Sequence, residues 1–159
     1  MTPAIIDLSE AKQDFRILEY EHGSLGRGYG EEAVEELGLN PSRVFKTLLA
    51  ELQDGEIVVC VVPVSSLLNL KALAKAAGVK KASMAEISVA ERRTGYVAGG
   101  ISPFGQTRRH KTFVDLSAST FDEVYVSGGK RGLEVAISPS SFEEVLGATY
   151  ASLTGGQNE

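Results

Sequence analysis

The chain has 159 residues, 16 Lys plus Arg against 21 Asp plus Glu, and a net charge of −5. That balance argues against a general nucleic-acid coat. With 43% hydrophobic and 23% charged residues, the composition excludes a fibre or a disordered chain, and the length suits one domain with a core of its own. One cysteine, Cys60, excludes an internal disulfide framework, and two histidines cannot complete the usual Cys/His zinc sets, so no metal and no cofactor is expected. The opening MTPAIIDLSE carries acids where a secretory signal wants bases, and no apolar run approaches membrane-spanning length. The expectation is a cytoplasmic domain with no membrane partner.

Thr2-Pro3 is an N-cap and first-turn pair, and Ile5, Leu8 and Ala11 follow at helical spacing, predicting a helix over 3–13. Residues 15–20 read as a short strand. The glycine-punctuated HGSLGRGYG then leads into a helix that ends near Leu37, with Gly38 as its stop. After the Asn40-Pro41 turn, the apolar runs VFKTLLA (44–50) and IVVCVVP (57–63), separated by Gln53-Asp54-Gly55, predict a hairpin of two buried strands, with Cys60 as a core side chain. Helices are expected at 69–77, stopped by Gly78, and at 84–93, closed by Thr94-Gly95. TGYVAGGISPFG (94–105) is too glycine-rich for a regular element. Strands follow at 112–116, 123–127 and 133–137, and Pro139 opens a last helix through Leu146 to Gly147. This order predicts an α/β single domain, a curled, barrel-like mixed β-sheet with helices packed outside, spanning 1–159 with a flexible tail from 153.

The whole-chain charge conceals a basic middle. Residues 1–70 hold 5 basic and 12 acidic side chains, residues 71–132 hold 11 and 5, and residues 133–159 hold none and 4. Lys71, Lys75, Lys80 and Lys81 fit either a solvated helix face or a phosphate-facing surface.

Several motifs are excluded. GRGYG (26–30) lacks the dinucleotide-fingerprint spacing, SGGKR (127–131) lacks the Ser/Thr of a P-loop, and GISPFG misses the nucleophile elbow by one residue, with only His22 and His110 to serve a serine. What remains is Lys46 inside an apolar strand, either an edge lysine or an ammonium facing a cavity. Beside it stand two glycine clusters. The loop 95–100 is either a tight structural crossing or a cradle whose N–H groups meet an anion or developing oxyanion. SGGKRG (127–132) follows a strand and carries two cations, which suggests a pocket shared with the first loop.

VFKTLLA, TGYVAGGISPFG and YVSGGKRGL (125–133), with MTPAI and NLKALAKAAGVKKASMAE (69–86), resemble the YbaK family of aminoacyl-tRNA deacylases from Met1 to about Leu146. The resemblance implies a curled mixed sheet like the editing domain of bacterial prolyl-tRNA synthetases. It also implies hydrolysis in trans of tRNA mischarged with cysteine, Cys-tRNA(Pro). It carries over Lys46 as the essential lysine and Gly99 as the glycine whose backbone meets the aminoacyl group. Tyr20, Tyr29, Tyr96, Gly100, Ser127 and Glu134 follow as substrate-binding positions. Two depart from the family pattern: Tyr29 stands where relatives often have Phe, and Glu134 where they often have Asp. Arg108, Arg109, Lys130 and Arg131, with Arg92, Arg93 and Lys111, flank the glycine loops as candidates for tRNA phosphates. Prolyl-tRNA synthetase is the implied protein partner.

The mechanism that the resemblance implies needs no protein nucleophile, metal or histidine base: the substrate's own thiolate attacks its ester, with Lys46 in an electrostatic and binding role. Two alternatives stay open: a deacylase for another mischarged tRNA such as Ala-tRNA(Pro), using water, and a non-catalytic tRNA-binding module.

Overall fold

The computed structural model describes residues 1–21, 23 and 30–155. Its elements are α1 (Pro3–Glu10), β1 (Phe15–Glu19), α2 (Glu31–Leu37), β2 (Phe45–Leu52), β3 (Ile57–Pro63), α3 (Leu70–Ala77), β4 (Ala82–Met84), α4 (Ile87–Thr94), β5 (Thr112–Asp115), a 3-10 turn (Leu116–Thr120), β6 (Val124–Lys130), β7 (Leu133–Ile137), α5 (Ser140–Leu146) and β8 (Thr149–Ala151).

The strands form two sheets. One is antiparallel in the order β1-β7-β6, and the other is mixed in the order β4-β2-β3-β5-β8. In the larger sheet β2 pairs antiparallel with β3 and β4, while β3/β5 and β5/β8 are parallel. The sheets meet at a parallel bridge between Val44 and Tyr125, so the expected barrel-like curl stops short of closure. The α/β class and the mixed sheet are as expected.

Alternation along the strands builds two apolar layers. Phe45 and Leu49 of β2 and Val59 and Val61 of β3 join Val124, Val126, Leu133, Val135 and Ile137 of the smaller sheet, with Ala4, Ile5 and Leu8 of α1 and Phe142 of α5. The opposite faces, Leu48, Ala50 and Leu52 with Val58, Cys60 and Val62, pack under Leu73 of α3. Every residue of β3 is buried, as a strand covered on both faces requires. Cys60 is a core side chain whose thiol is pushed up to about 12 by burial.

The α1 cap forms as predicted: the Thr2 hydroxyl oxygen accepts from Ile5 N–H at 3.3 Å. The same hydroxyl donates to the Gly128 carbonyl, fastening the start of the chain to the second glycine cluster. That cluster does not follow a strand. Ser127–Lys130 is the end of β6, bulged between Ser127 and Lys130, and Arg131-Gly132 turns into β7. The first helix stops at Glu10, three residues short of the expectation, with Lys12 at φ 58° beyond its end. The helix expected at 84–93 begins at Ile87, because Ala82–Met84 pair with β2 as β4. The strand expected through 116 ends at Asp115, whose side chain accepts from Ser117 N–H at 3.1 Å and opens the 3-10 turn.

Leu153 and Thr154, expected to lie in a flexible tail, are anchored. Leu153 is fully buried, its N–H donates to Asp115 at 2.9 Å, and Thr154 bridges to Leu68. Residues 156–159 of that tail lie outside the described residues. No helix of the described residues is long and apolar enough to cross a membrane.

Candidate active site

The smaller sheet sets three candidate residues side by side. In its register Ser127 of β6 and Leu18 of β1 both lie opposite Glu134 of β7. Residues directly opposite in an antiparallel pair share a face. Tyr20, two residues beyond Leu18, returns to that face, with its N–H on the Gly132 carbonyl at 3.0 Å. Lys46 arrives from the other sheet, two residues past the bridging Val44. Phe45, Lys46, Thr47, Gly99, Ile101, Ser127, Glu134, Tyr20 and Gly30 enclose a cavity of about 20 Å³, room for about one water molecule.

β2 is an interior strand of its sheet and Lys46 is 8% exposed, so the edge-lysine alternative is removed. Glu134 is 4% exposed, and burial pushes its carboxyl up to about 8. At neutral pH it is therefore mostly a neutral acid. Among the described residues its Oε2 has no hydrogen-bond partner, and neither has the buried Oγ1 of Thr47. Two orphaned polar atoms beside a buried ammonium are costly to folding and therefore point to a ligand-binding task. Burial also raises the Tyr20 phenol. The Ser127 hydroxyl oxygen accepts from Gly129 N–H at 3.1 Å, which keeps its own proton available to a ligand.

The two glycine clusters do meet. A Cβ on Gly100 would stand 2.7 Å from the Lys130 Cα, a backbone-to-backbone approach that only glycine permits. Val97–Gly100 form a turn closed by Gly100 N–H on the Val97 carbonyl at 2.9 Å, with Gly99 at φ 93°. Much of the expected N–H cradle is spent inside the protein. Gly95 N–H goes to the Glu91 carbonyl, Tyr96 N–H to the Thr94 hydroxyl and Ala98 N–H to the Glu91 carboxylate at 2.8 Å. Among the described residues this leaves the N–H groups of Val97 and Gly99 as the loop's uncommitted donors, and of these Gly99 lines the Lys46 cavity.

Other candidates lie elsewhere. Tyr96 is 5% exposed in the core, its hydroxyl donates to the Phe104 carbonyl at 2.6 Å, and it does not line the Lys46 cavity. Tyr96 instead borders, with Gly100 and Lys130, a cleft of about 420 Å³. Arg131 is committed: its guanidinium donates to Glu32 at 3.1 Å and to the Gly23 carbonyl at 2.7 Å. Lys130 is exposed. Arg108 and Arg109 line a separate cavity of about 390 Å³ between α1, residues 103–112 and α5. His110 borders that cavity too, with Nδ1 2.8 Å from Gln106 Oε1, and burial together with Arg93 and Arg108 lowers its pKa. Tyr29 and His22 lie outside the described residues. Among the described residues no group of three or more His, Cys, Asp or Glu could hold a metal.

Sequence reasoning missed Thr47 and Glu32. Thr47 carried a signal, since it is a second polar side chain inside an apolar strand run. Glu32, 5% exposed at the start of α2, carried none, because its partners Arg131 and Gly23 are distant or irregular in sequence.

Residues 27–145 match the profile of the aminoacyl-tRNA editing domain. A protein of Enterococcus faecalis, provisionally named a Cys-tRNA(Pro)/Cys-tRNA(Cys) deacylase, EbsC, is 36% identical over 124 residues, 78% of this chain and 76% of its own. The uncharacterized protein YwhH of Bacillus subtilis is 25% identical over 114 residues, 72% of each chain. Among solved structures, the hypothetical protein APE2540 superposes with a TM-score of 0.85 at 24% identity, over 96% of this chain and 99% of that one. A provisionally named trans-editing enzyme for prolyl tRNA synthetase superposes at 0.81 and 19% identity, over 98% and 99%. These two likenesses bear on the fold.

Proposed function

Because this chain belongs to the aminoacyl-tRNA editing domain family and is an aminoacyl-tRNA deacylase, we propose that its substrate is Cys-tRNA(Pro), cleaved in the cavity between Lys46, Gly99 and Glu134. The observation that carries this is the buried Lys46 beside an unsatisfied Glu134 carboxyl and the uncommitted N–H of Gly99. The aminoacyl ester brings a positively charged α-amino group and a carbonyl. An ammonium at Glu134 would draw the carboxyl into its ionised form, an electrostatic gain available only when substrate is bound.

The reaction proceeds by attack of the substrate's thiolate sulfur on its own ester carbonyl carbon. A C–S bond forms, the C–O bond to the ribose breaks, and the ribose oxygen takes the proton lost by the thiol. The resulting cyclic thioester is opened by water. Gly99 N–H faces the oxyanion, and the Lys46 ammonium favours thiolate over thiol. The cavity of about 20 Å³ has room for one water molecule beside Lys46, which favours a second reading, water-driven cleavage of Ala-tRNA(Pro). The acceptor end of tRNA is the ligand in either case. Prolyl-tRNA synthetase as protein partner and a cytoplasmic location are proposed on the family resemblance.

A deacylation panel of Cys-tRNA(Pro), Ala-tRNA(Pro) and a Ser-tRNA tests this. Cleavage of the cysteinyl substrate with survival of the seryl one is expected, and Lys46→Met removes the activity. Equal rates for cysteine and serine would sink the thiol mechanism. Full activity in Lys46→Met would sink the site, and inertness towards the whole panel would leave only tRNA binding.

A further inference from the structure

An acid near the C-terminal end of a helix works against the helix dipole, and an acid beside a tRNA site repels the phosphates. Glu91 is such an acid, near the end of α4, where the following Arg92 and Arg93 are the residue type that suits the position. Its carboxylate has another task. Glu91 Oε2 accepts from Ala98 N–H at 2.8 Å, while its main-chain carbonyl accepts from Gly95 N–H at 2.9 Å. One residue thus fixes both the end of α4 and the start of the turn Val97–Gly100.

The two halves of that turn are secured differently. Gly99 and Gly100 lie against Lys130 and Arg131: a Cβ on Gly99 would meet the Arg131 Cδ at 3.2 Å, and one on Gly100 the Lys130 Cα at 2.7 Å. Val97 is 75% exposed and Ala98 only partly buried, so packing secures little of the leading half. Among the described residues, the side chain that holds Ala98 N–H is Glu91. The N–H of Gly99 belongs to the planar Ala98–Gly99 peptide, so its direction follows the placement of Ala98. Gly99 itself, at φ 93°, has no side chain to resist rotation.

We propose that Glu91 is a positioning residue for the deacylation: its carboxylate fixes Ala98 and so aims the Gly99 N–H into the Lys46 cavity. The inference rests on the deacylase reading above, in which that N–H faces the oxyanion. It also accounts for an acid kept where neither the helix nor the RNA favours one.

Kinetics on Cys-tRNA(Pro), paired with amide hydrogen exchange, test the assignment. In Glu91→Ala kcat is expected to fall by roughly 10–100-fold, the scale of a misdirected oxyanion donor. KM stays nearly unchanged, because no substrate contact is lost. Removing a negative charge by itself helps an RNA bind, and Glu86→Ala measures that effect, since Glu86 is an exposed acid at the other end of α4 with no side-chain cap bond. Glu91→Gln keeps an acceptor and should recover most of kcat. Exchange should quicken at Ala98 in Glu91→Ala and stay as it was at Gly95, whose bond is to the main chain. Alanine is a strong helix former, so the fold is kept. Glu91→Met, of similar length and without the carboxylate, repeats the kinetics should the alanine variant unfold. Undiminished kcat in Glu91→Ala, Glu91→Gln no better than Glu91→Ala, an equal fall in Glu86→Ala, or unchanged exchange at Ala98 overturns the assignment. A wild type inert towards every mischarged tRNA sinks the proposed reaction and this role with it, whereas an active wild type with any of those results sinks the role of Glu91 alone.

Discussion

Glu134→Gln isolates the most perturbed carboxyl of the candidate site. In the unfolded chain this group titrates near its ordinary value of 4.5, and in the folded protein burial raises it to about 8. The folded state therefore binds the proton more tightly, so its stabilising effect is full below about pH 4.5 and is lost as pH rises towards about 8. At ~1.36 kcal/mol per pH unit, this single group removes roughly 2–3 kcal/mol of stability between pH 6 and pH 9. Glutamine keeps the shape and cannot ionise, so the variant lacks that slope. Urea denaturation across this pH range reads the difference directly. With a slope of ~1–3 kcal/mol per molar urea, the wild-type midpoint should fall by on the order of 1–2 M more than that of the variant. Titration of His110 and of the exposed groups is common to both proteins and cancels. Parallel stability curves for the two would refute the claim that Glu134 is held neutral by burial. Because the variant also loses the ionisable partner for an α-ammonium, kcat/KM on a mischarged tRNA should fall while the protein at pH 8 becomes more stable.

Three further outcomes follow from named contacts. Gly100→Ala drives a methyl group into the Lys130 backbone at 2.7 Å, so a loss of roughly 1–3 kcal/mol in thermal or chemical unfolding is expected, together with reduced deacylation. A variant as stable as wild type would mean the two glycine clusters can part freely. Tyr96→Phe leaves the Phe104 carbonyl unpaired in the core and should cost ~1–3 kcal/mol with kcat/KM little changed. A collapse of kcat/KM at unchanged stability would return Tyr96 to the reacting pocket. Affinity for tRNA should fall with salt, with a shallow slope of a few phosphate contacts, since Arg131 is engaged with Glu32 while Lys130 is exposed. Lys130→Ala should lower that slope by about one contact, and an unaltered slope would remove Lys130 from the interface.

Local signals in this sequence act over a few residues, and where such signals sufficed the chain announced its own structure. The Thr2 cap, the Asp54-Gly55 turn, the αL glycine at 38 and the unbroken apolar run of β3 each depend on neighbours in the chain, and each forms as read. Lys46 was conspicuous for the same reason, a charge within apolar residues. Short strands β4 and β8 were not legible, because three-residue segments become strands only through partners 30 or more positions away. The site belongs to that second class. Tyr20, Ser127 and Glu134 share a face only through the β1-β7-β6 register, and Lys46 joins them only where the two sheets touch at Val44 and Tyr125. The raised Glu134 carboxyl is a product of burial, which no pattern of neighbours encodes. Tyr96 turned inward and Arg131 turned to Glu32 because tertiary packing supplied each with a partner. The sequence by itself determined which residues were available for chemistry. Only the tertiary structure decided which of them meet, because desolvation and pairing across sheets arise from contacts between distant segments.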